Sequence, residues 1–195
     1  MGPGRLEAFS DGVIAIIITI MVLELKVPAS REPAALLAVW PTFLSYLLSF
    51  LLVAIYWVNH HGLFHLCRAV NNAVLWSNMF FLFCLSLVPF ATAYMGDNRF
   101  APFATALYAA VLALTGISFV PMRLAVTAQL RDEPSYRPVG RHALIKNVIS
   151  IAIYAASAPL AFVHPAITVA LAFLVSASYF LPSVWLGDES TGGHP

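Results

Sequence analysis

The sequence predicts an all-α integral membrane protein with six transmembrane helices. Of its 195 residues, 61% are hydrophobic and only 10% are charged, and the mean hydropathy is +0.85. Because a soluble domain needs about 25–35% charged residues on its surface, a soluble globular enzyme is excluded. The net charge of +1 leaves no basic stripe to neutralise phosphates, so nucleic acid is not an expected partner.

The gaps between charged residues divide the chain into apolar segments. No Asp, Glu, Lys or Arg lies within 33–67, 69–96 or 100–122. The last gap, 147–187, is about twice the length of one span of ~20 residues. His164-Pro165 lies in its middle and predicts a turn, because proline cannot continue a helix. This gap therefore holds two helices.

These segments predict helices at 6–26, 36–61, 73–95, 101–126, 142–163 and 166–186. The apolar runs are continuous and long, whereas the strands of a membrane β-barrel alternate over about ten residues. Prolines inside or near the ends of such helices are tolerated because neighbouring helices satisfy the freed carbonyls. The helices form one membrane domain, residues 1–186, followed by a short polar tail, residues 187–195.

The positions of the basic residues predict that both termini are cytoplasmic. With the N-terminus inside, the cytoplasmic segments carry Arg5, Arg68, Arg123, Arg131, Arg137, Arg141 and Lys146. The outer segments carry Lys26, Arg31 and Arg99. Cytoplasmic loops are enriched in Lys and Arg, so this orientation is favoured. The longest loop, about 127–141, and the polar tail are then cytoplasmic.

The first helix is the most polar of the six. It carries Arg5, Glu7 and Asp11 at one end and Glu24 and Lys26 at the other. Ionisable groups inside a membrane are costly, so they usually face protein or water and mark function. We therefore expect other helices, rather than lipid, to surround this helix.

At 100° per residue, the first helix separates into two faces. One face is apolar with a single hydroxyl and contains Gly12, Ile16, Thr19, Ile20 and Leu23. Asp11 and Glu7 lie about 140° and 180° from Ile16, so the other face is acidic at its cytoplasmic end. On composition alone, the apolar stripe is also compatible with ordinary helix packing, the acidic patch then being an interfacial anchor.

Polar residues of three helices meet at this cytoplasmic depth. The second helix ends in the sequence YWVNHHGLFH, residues 56–65, and the third begins with Asn71 and Asn72, followed by Asn78. Together with Arg5 and Asp11 these residues predict a buried polar network, which persists when every member is satisfied. The cysteines, Cys67 and Cys84, match no metal or redox spacing.

Three motifs resemble the transmembrane-protein-175 family of potassium channels. The RxxxFSD signature of that family's first helix is matched by Arg5, Phe9, Ser10 and Asp11. Its WxxHHxxF element is resembled by Trp57, His60, His61 and Phe64, and the close of its third helix by Leu87, Pro89, Phe90 and Ala93. The resemblance covers most of the first half of the chain, and no motif was matched in the second half.

The resemblance implies a channel in which first helices line a central pore. The TVGYG filter of ordinary potassium channels is absent from such channels and from this sequence. A chain with a single six-helix unit is then expected to form a homotetramer. The aliphatic constriction falls on Ile16, with Ile20 and Leu23 further out, and a hydroxyl layer near the permeating potassium ion falls on Thr19. The supporting polar network comprises Arg5, Phe9, Ser10, Asp11, Trp57, His60, Asn72 and Asn78.

The expected function is a weakly discriminating potassium-selective channel in the plasma membrane. Its expected partners are other copies of the chain, potassium ions and membrane lipids. No cofactor and no bound metal are expected, because potassium is only the permeating ion. An aliphatic ring gates by dewetting, whereas isoleucines cannot replace a hydration shell, so discrimination should be weaker than a carbonyl filter gives.

Two other classes of function compete with the channel. A membrane-embedded metalloenzyme is suggested by His60, His61 and His65, but a metal site needs three or four ligands and the remaining histidines lie far away in the sequence. A secondary transporter places ionisable groups near mid-membrane on broken helices. Here the mid-membrane polar residues are mostly hydroxyls expected to join helices: Ser45, Ser49, Thr115, Ser118 and Ser176. A scaffold without transport activity is a further alternative.

Overall fold

The computed structural model describes residues 2–130 and 136–180, and every regular element in this part of the chain is helical. The helices in chain order are α1 (Pro3–Leu23), α2 (Pro33–Ala38), α3 (Trp40–Phe64), α4 (Asn72–Leu85), α5 (Val88–Asp97), α6 (Pro102–Thr127), α7 (Tyr136–Leu160) and α8 (Pro165–Phe180). A 3₁₀ turn, Ala128–Leu130, follows α6. The all-α prediction is therefore confirmed.

Among the described residues, 5 helical segments are long and apolar enough to cross a membrane. They are Pro3–Leu23, Trp40–Phe64, Asn72–Asp97, Pro102–Leu130 and Gly140–Leu160. Helix α8 is apolar but has 16 described residues. It begins at Pro165, after α7 has ended at Leu160, so the chain turns where proline predicts a turn. The predicted end of the last helix at 186 and the tail 187–195 lie outside the described residues.

Two predicted helices are interrupted at prolines. The predicted helix 36–61 is divided at Val39 into α2 and α3, and Pro41 occupies the first turn of α3. The predicted helix 73–95 is divided at residues 86–87 into α4 and α5, two residues before Pro89. Proline has no N–H to donate to the carbonyl four residues earlier, so each helix ends and a new one begins.

The predicted loop 127–141 is shorter than expected, because α7 begins at Tyr136 rather than at 142. The sequence prediction began the helix at 142, directly after Arg141. A charged residue marks the end of the membrane-spanning part, but the helix can extend beyond it into water, because Arg is a good helix former there. Residues 131–135 between the two elements, including Arg131, lie outside the described part.

Helix α6, not α1, is the centre of the bundle. It packs against α3, α4, α5, α7 and α8, and 61% of its membrane-crossing segment is buried, against 28% for α1. The expectation that other helices surround α1 is thus wrong within a single protomer. Small buried residues let neighbouring helices approach α6 closely, and they include Ala104, Ala106, Ala109, Ala113 and Gly116.

Hydroxyl groups join helices inside the bundle. Thr92 on α5 donates to Ser49 Oγ on α3 at 2.7 Å, and Ser49 Oγ lies 3.0 Å from the Tyr108 hydroxyl on α6. Thr115 on α6 also points to the Cys84 carbonyl of α4, at 3.4 Å. The predicted role of helix–helix hydrogen bonds therefore holds at Ser49, whereas Thr115 makes its shorter bond, at 2.8 Å, to the Val111 carbonyl of its own helix. The hydroxyls of Ser45, Ser118 and Ser176 instead donate to carbonyls of their own helices.

A glycine sets the contact between α3 and α5. A Cβ added at Gly96 would lie 2.8 Å from Thr42 Cα and 2.6 Å from Ser45 Oγ, both on α3. The backbone of α3 cannot yield as a flexible side chain would. The two helices therefore require a residue without a side chain at this position.

We predict that Gly96→Ala lowers the free energy of unfolding by roughly 1–3 kcal/mol, the usual cost of overpacking. Gly62→Ala on α3 is the matched control, because a Cβ there meets nothing within 4 Å and Ala is the better helix former. Thermal unfolding in detergent, followed by size-exclusion chromatography, measures both variants. Equal stability of the Gly96 variant and the wild type would contradict the close contact.

Candidate functional site in the first helix

Helix α1 presents one face to the bundle and the opposite face outwards. The buried face contains Leu6, Ser10, Ile14, Ile17 and Met21. The predicted stripe of Gly12, Ile16, Thr19, Ile20 and Leu23 is exposed along its whole length, with Ile16 at 59% and Leu23 at 77%. The stripe is therefore not part of the packing within this protomer and is available to line a pore or to contact another molecule.

A groove runs between α1 and α5 beside this stripe. It has a volume of about 660 Å³. Its walls are mostly apolar and include Val13, Ile16, Ile17 and Ile20 of α1 and Pro89, Phe90, Ala93 and Tyr94 of α5. At one end of the groove, which Asp97 helps to line, Lys26 Nζ and Asp97 Oδ2 are 3.5 Å apart. Both side chains are exposed, so this pair contributes little to stability.

Thr19 is the hydroxyl of the exposed stripe. Its Oγ1 donates to the Ile16 carbonyl at 2.9 Å, as threonines in helices commonly do. The hydroxyl proton is therefore directed back to the helix, and the oxygen lone pairs remain free on the exposed side. This oxygen has the right character to contact a hydrated cation.

Three of the predicted network residues form a buried cluster. Asn78 Nδ2 donates to Ser10 Oγ at 3.0 Å, and Asn78 Oδ1 lies 2.8 Å from His60 Nε2. Ser10 in turn donates to the Leu6 carbonyl at 2.9 Å. All three side chains are fully buried, so α1, α3 and α4 are joined by directed hydrogen bonds at this level.

The ring of His60 packs against two aromatic rings. It stacks on Phe64 with ring centroids 4.4 Å apart and on Phe81 with centroids 5.9 Å apart. Since Asn78 uses its amide N–H on Ser10, its oxygen faces His60, and His60 donates from Nε2. His60 is consequently a structural residue turned into the bundle and is not available as a metal ligand.

Asp11 and Trp57 meet outside this buried cluster. Trp57 Nε1 donates to Asp11 Oδ1 at 2.9 Å. The indole ring of Trp57 also stacks on the ring of His61, with centroids 5.7 Å apart. The pair forms a second connection between α1 and α3, at the protein surface rather than in its interior.

Three predicted network residues lie away from the cluster. Arg5 and Phe9 are exposed on α1, because positions five and one residues before Ser10 point about 140° and 100° away from it. Asn72 is exposed at the first residue of α4, where Asn71 caps the helix by accepting from the Val74 N–H at 2.9 Å. The structure thus brings Ser10, His60 and Asn78 together, but not these three.

A further polar group joins residues that the sequence analysis had considered separately. His61 Nδ1 lies 2.9 Å from Glu7 Oε1, and His61 Nε2 lies 2.9 Å from His65 Nε2. The signal was present in the sequence as two histidines four residues apart, which share one helix face. What the sequence did not indicate was that Glu7 of α1 reaches them.

Comparison with known proteins decides the family. The family model for the endosomal/lysosomal potassium channel TMEM175 matches residues 5–89. A potassium channel from Chryseobacterium sp. (strain P1-3) is 42% identical over 182 residues, which cover 93% of this chain and 94% of that protein. The chain belongs to the TMEM175 family. A potassium channel from Streptomyces collinus is 35% identical over 90% of both chains.

A solved structure extends this TMEM175 relationship to the fold. The crystal structure of a lysosomal potassium-selective channel TMEM175 homolog from Chamaesiphon minutus matches with a TM-score of 0.82 and 29% identity. The match covers 91% of this chain and 95% of that one, so it includes the second half, for which the sequence offered no motif. TMEM175 proteins are ion channels and not enzymes, so the metalloenzyme alternative is set aside.

We predict that Asn78→Ala destabilises the protein more than Asn72→Ala. The first change leaves the buried His60 Nε2–H without an acceptor, at a cost of about 1–3 kcal/mol, whereas Asn72 is exposed on the same helix. Thermal unfolding of the purified variants measures the difference. If both variants unfold at the same temperature, the buried cluster does not stabilise the fold.

Proposed function

We propose that this TMEM175 protein is a potassium-selective channel of the plasma membrane, a homotetramer whose central pore is lined by α1. The observation that carries the proposal is the exposed stripe of α1, on which Ile16, Thr19, Ile20 and Leu23 share one face pointing away from the protomer. Membership of a potassium channel family indicates that potassium is the permeating ion. The exposed stripe of α1 is the surface along which potassium is proposed to pass.

Fourfold symmetry turns each residue of the stripe into a ring. In a closed cyclic assembly every subunit presents the same surface to the axis, so one Ile16 per chain yields four around the pore. The mostly apolar groove between α1 and α5, about 660 Å³ in volume, lies beside the stripe and offers a place for the neighbouring subunit. Together these features support a tetramer with α1 innermost.

The ring of Ile16 side chains is the proposed gate. A narrow aliphatic ring excludes water and blocks ions by dewetting, and it opens when a small helix movement widens it. Ile20 and Leu23 continue this apolar lining further out. The gate therefore needs no charged residue and no re-entrant loop.

The ring of Thr19 hydroxyls is the proposed source of potassium preference. Their oxygens, together with water, replace part of the ion's hydration shell one turn beyond the constriction. Four hydroxyls offer fewer and weaker dipoles than the carbonyls of a TVGYG filter. We therefore expect potassium to be preferred over sodium by a modest ratio.

The proposed topology has six crossings, with one membrane domain at 1–186 and the tail 187–195. Helix α8 supplies 16 residues, and the sequence stays apolar up to Leu186, long enough for a sixth crossing. The excess of Lys and Arg in the inner segments supports cytoplasmic termini. The Ser10–Asn78–His60 cluster then lies towards the cytoplasm, and the Lys26–Asp97 pair lies outside.

Ion flux into liposomes tests the proposal. Purified protein should carry potassium down a gradient of that ion alone, and sodium more slowly, with caesium as a third permeant ion for comparison. A channel needs no second solute, whereas a coupled transporter does. Absence of flux under every gradient would overturn the proposal, and flux that depends on a co-substrate would favour a transporter.

We predict that Ile16→Asn raises potassium flux severalfold, because a polar ring wets the constriction. Val22→Asn is the control, since Val22 is 44% exposed but lies about 120° from Ile16 around α1. Liposome flux compares both variants with the wild type. Unchanged flux in the Ile16 variant would remove Ile16 from the pore.

We predict that Thr19→Val lowers the potassium-to-sodium flux ratio towards unity, while Thr19→Ser largely retains it. Valine keeps the shape of threonine but has no oxygen to offer the ion, whereas serine keeps the hydroxyl. The two fluxes are measured in the same liposome preparation. A ratio unchanged by valine would show that selectivity arises elsewhere.

A further inference from the structure

Glu7, His61 and His65 bring three metal-binding side chains to the proposed cytoplasmic end of α1 and α3. One ligand atom from each residue lies within 4.8 Å of the others. His61 and His65 come from successive turns at the end of α3, and Glu7 comes from the second turn of α1. The cluster is separate from the exposed stripe and is not part of the proposed pore.

The carboxylate of Glu7 is positioned for a cation. Its Oε1 is buried and lies 2.9 Å from His61 Nδ1, at ion-pair distance. Among the described residues this oxygen has no hydrogen-bond donor of suitable geometry. A buried carboxylate oxygen without a donor is stabilised by a positive charge.

The ligand set selects the kind of cation. Two imidazoles and one carboxylate are the three protein ligands of one class of tetrahedral zinc site, in which water occupies the fourth position. Hard cations such as Mg²⁺ and Ca²⁺ prefer oxygen ligands alone. Tetrahedral zinc with bonds of about 2.0–2.1 Å places its ligand atoms about 3.3 Å apart. The two contacts of 2.9 Å use different nitrogens of His61, Nδ1 towards Glu7 and Nε2 towards His65, and a metal ion takes only one of them. One ligand atom of each residue lies within 4.8 Å of the others, so the imidazole rings must rotate to converge on one ion.

We propose that Glu7, His61 and His65 form a binding site for a divalent transition metal, with zinc as the expected ion, that ties the end of α1 to the end of α3. The site is complete within one protomer, because all three ligands belong to the same chain. Trp57 supports it by stacking on His61 at a centroid distance of 5.7 Å. Its bond to Asp11 keeps that carboxylate engaged outside the ligand set.

A metal at this site would act on the proposed gate through α1. Widening the Ile16 ring requires α1 to move relative to the rest of its protomer, and a metal bridge to α3 opposes that movement. Zinc is therefore expected to reduce potassium flux. This consequence rests on the proposed channel function, whereas the existence of the site does not.

Metal titration of the full-length protein in detergent tests the site directly. Cobalt is the first probe, because tetrahedral Co²⁺ with nitrogen and oxygen ligands has visible absorption bands, and zinc should displace it. With any affinity tag removed, the wild type is expected to bind one equivalent per chain. Absence of cobalt bands together with absence of zinc binding by calorimetry would show a hydrogen-bonded cluster only, and would overturn the proposal.

Single-ligand variants provide the controls for this titration. His65→Ala and Glu7→Gln should each weaken zinc binding by at least about tenfold, the smallest loss seen when even an outer-shell partner of a metal site is removed. His164→Ala is the matched control, since His164 is exposed between α7 and α8 at the other end of the bundle. Equal affinity of the His65 variant and the wild type, or an equal loss in the His164 variant, would overturn the site.

Flux measurements separate this proposal from the channel proposal. Zinc on the side of the N-terminus should reduce potassium flux in the wild type but not in His65→Ala. If liposomes carry no potassium with or without zinc, the channel proposal fails while the titration still decides the metal site. If zinc binds and flux is unchanged, the restraint on α1 is overturned.

Discussion

The rotation of α1 about its own axis is the constraint on which the rest of the arrangement depends. Between apolar helices in a membrane there is little hydrophobic drive, because lipid tails are as apolar as leucine. Packing of Ile14 or Ile17 alone therefore distinguishes weakly between one face of α1 and another. The hydrogen bonds from Asn78 to Ser10 and from Trp57 to Asp11 determine which face of α1 turns towards the bundle. They place the stripe containing Ile16 on the outside.

The same reasoning accounts for the interior of the bundle. Helix α6 is central because its small residues permit close approach, and the Thr92–Ser49–Tyr108 chain of hydroxyls joins α3, α5 and α6 where apolar packing alone specifies little. Gly96 permits the close contact between α3 and α5, because any side chain at this position would meet the backbone of α3. In the membrane, side-chain volume and a few directed hydrogen bonds thus determine how the helices pack, as the hydrophobic effect does for proteins in water.

The sequence predicted the helices and the two faces of α1 because both depend on local patterns. Charge-free gaps mark spans, and a 100° rotation per residue separates Ile16 from Glu7 whatever surrounds the helix. The centrality of α6 and the reach of Glu7 to His61 depend on contacts between segments, which no local pattern encodes. Asn72 and Asn78 illustrate the difference: both are asparagines of the third span, but only the tertiary contact with Ser10 distinguishes them. The breaks before Pro41 and Pro89 were local, and proline chemistry could have placed them.

The polar contacts of α1 are concentrated at one end, whereas its buried apolar residues run from Leu6 to Met21, so the polar end can serve as a pivot. Its directed polar contacts with the bundle lie at Glu7, Ser10 and Asp11. Among the described residues, the polar contact near its far end is the exposed Lys26–Asp97 pair at 3.5 Å, just beyond the helix. At 1.5 Å per residue, Ile16 lies about 9 Å beyond Ser10 and Leu23 about 20 Å beyond it. A tilt of about 5° around Ser10 would move Ile16 by about 0.8 Å and Leu23 by about 1.7 Å. Because lipid and neighbouring apolar side chains exchange at low cost, such a tilt leaves the buried cluster intact. The polar end can thus hold the helix in register while the apolar end changes the width of the proposed pore. The same tilt shifts Glu7, about 4.5 Å to the other side of Ser10, by only about 0.4 Å, so a metal would oppose the tilt only through the rigidity of its bonds at this end.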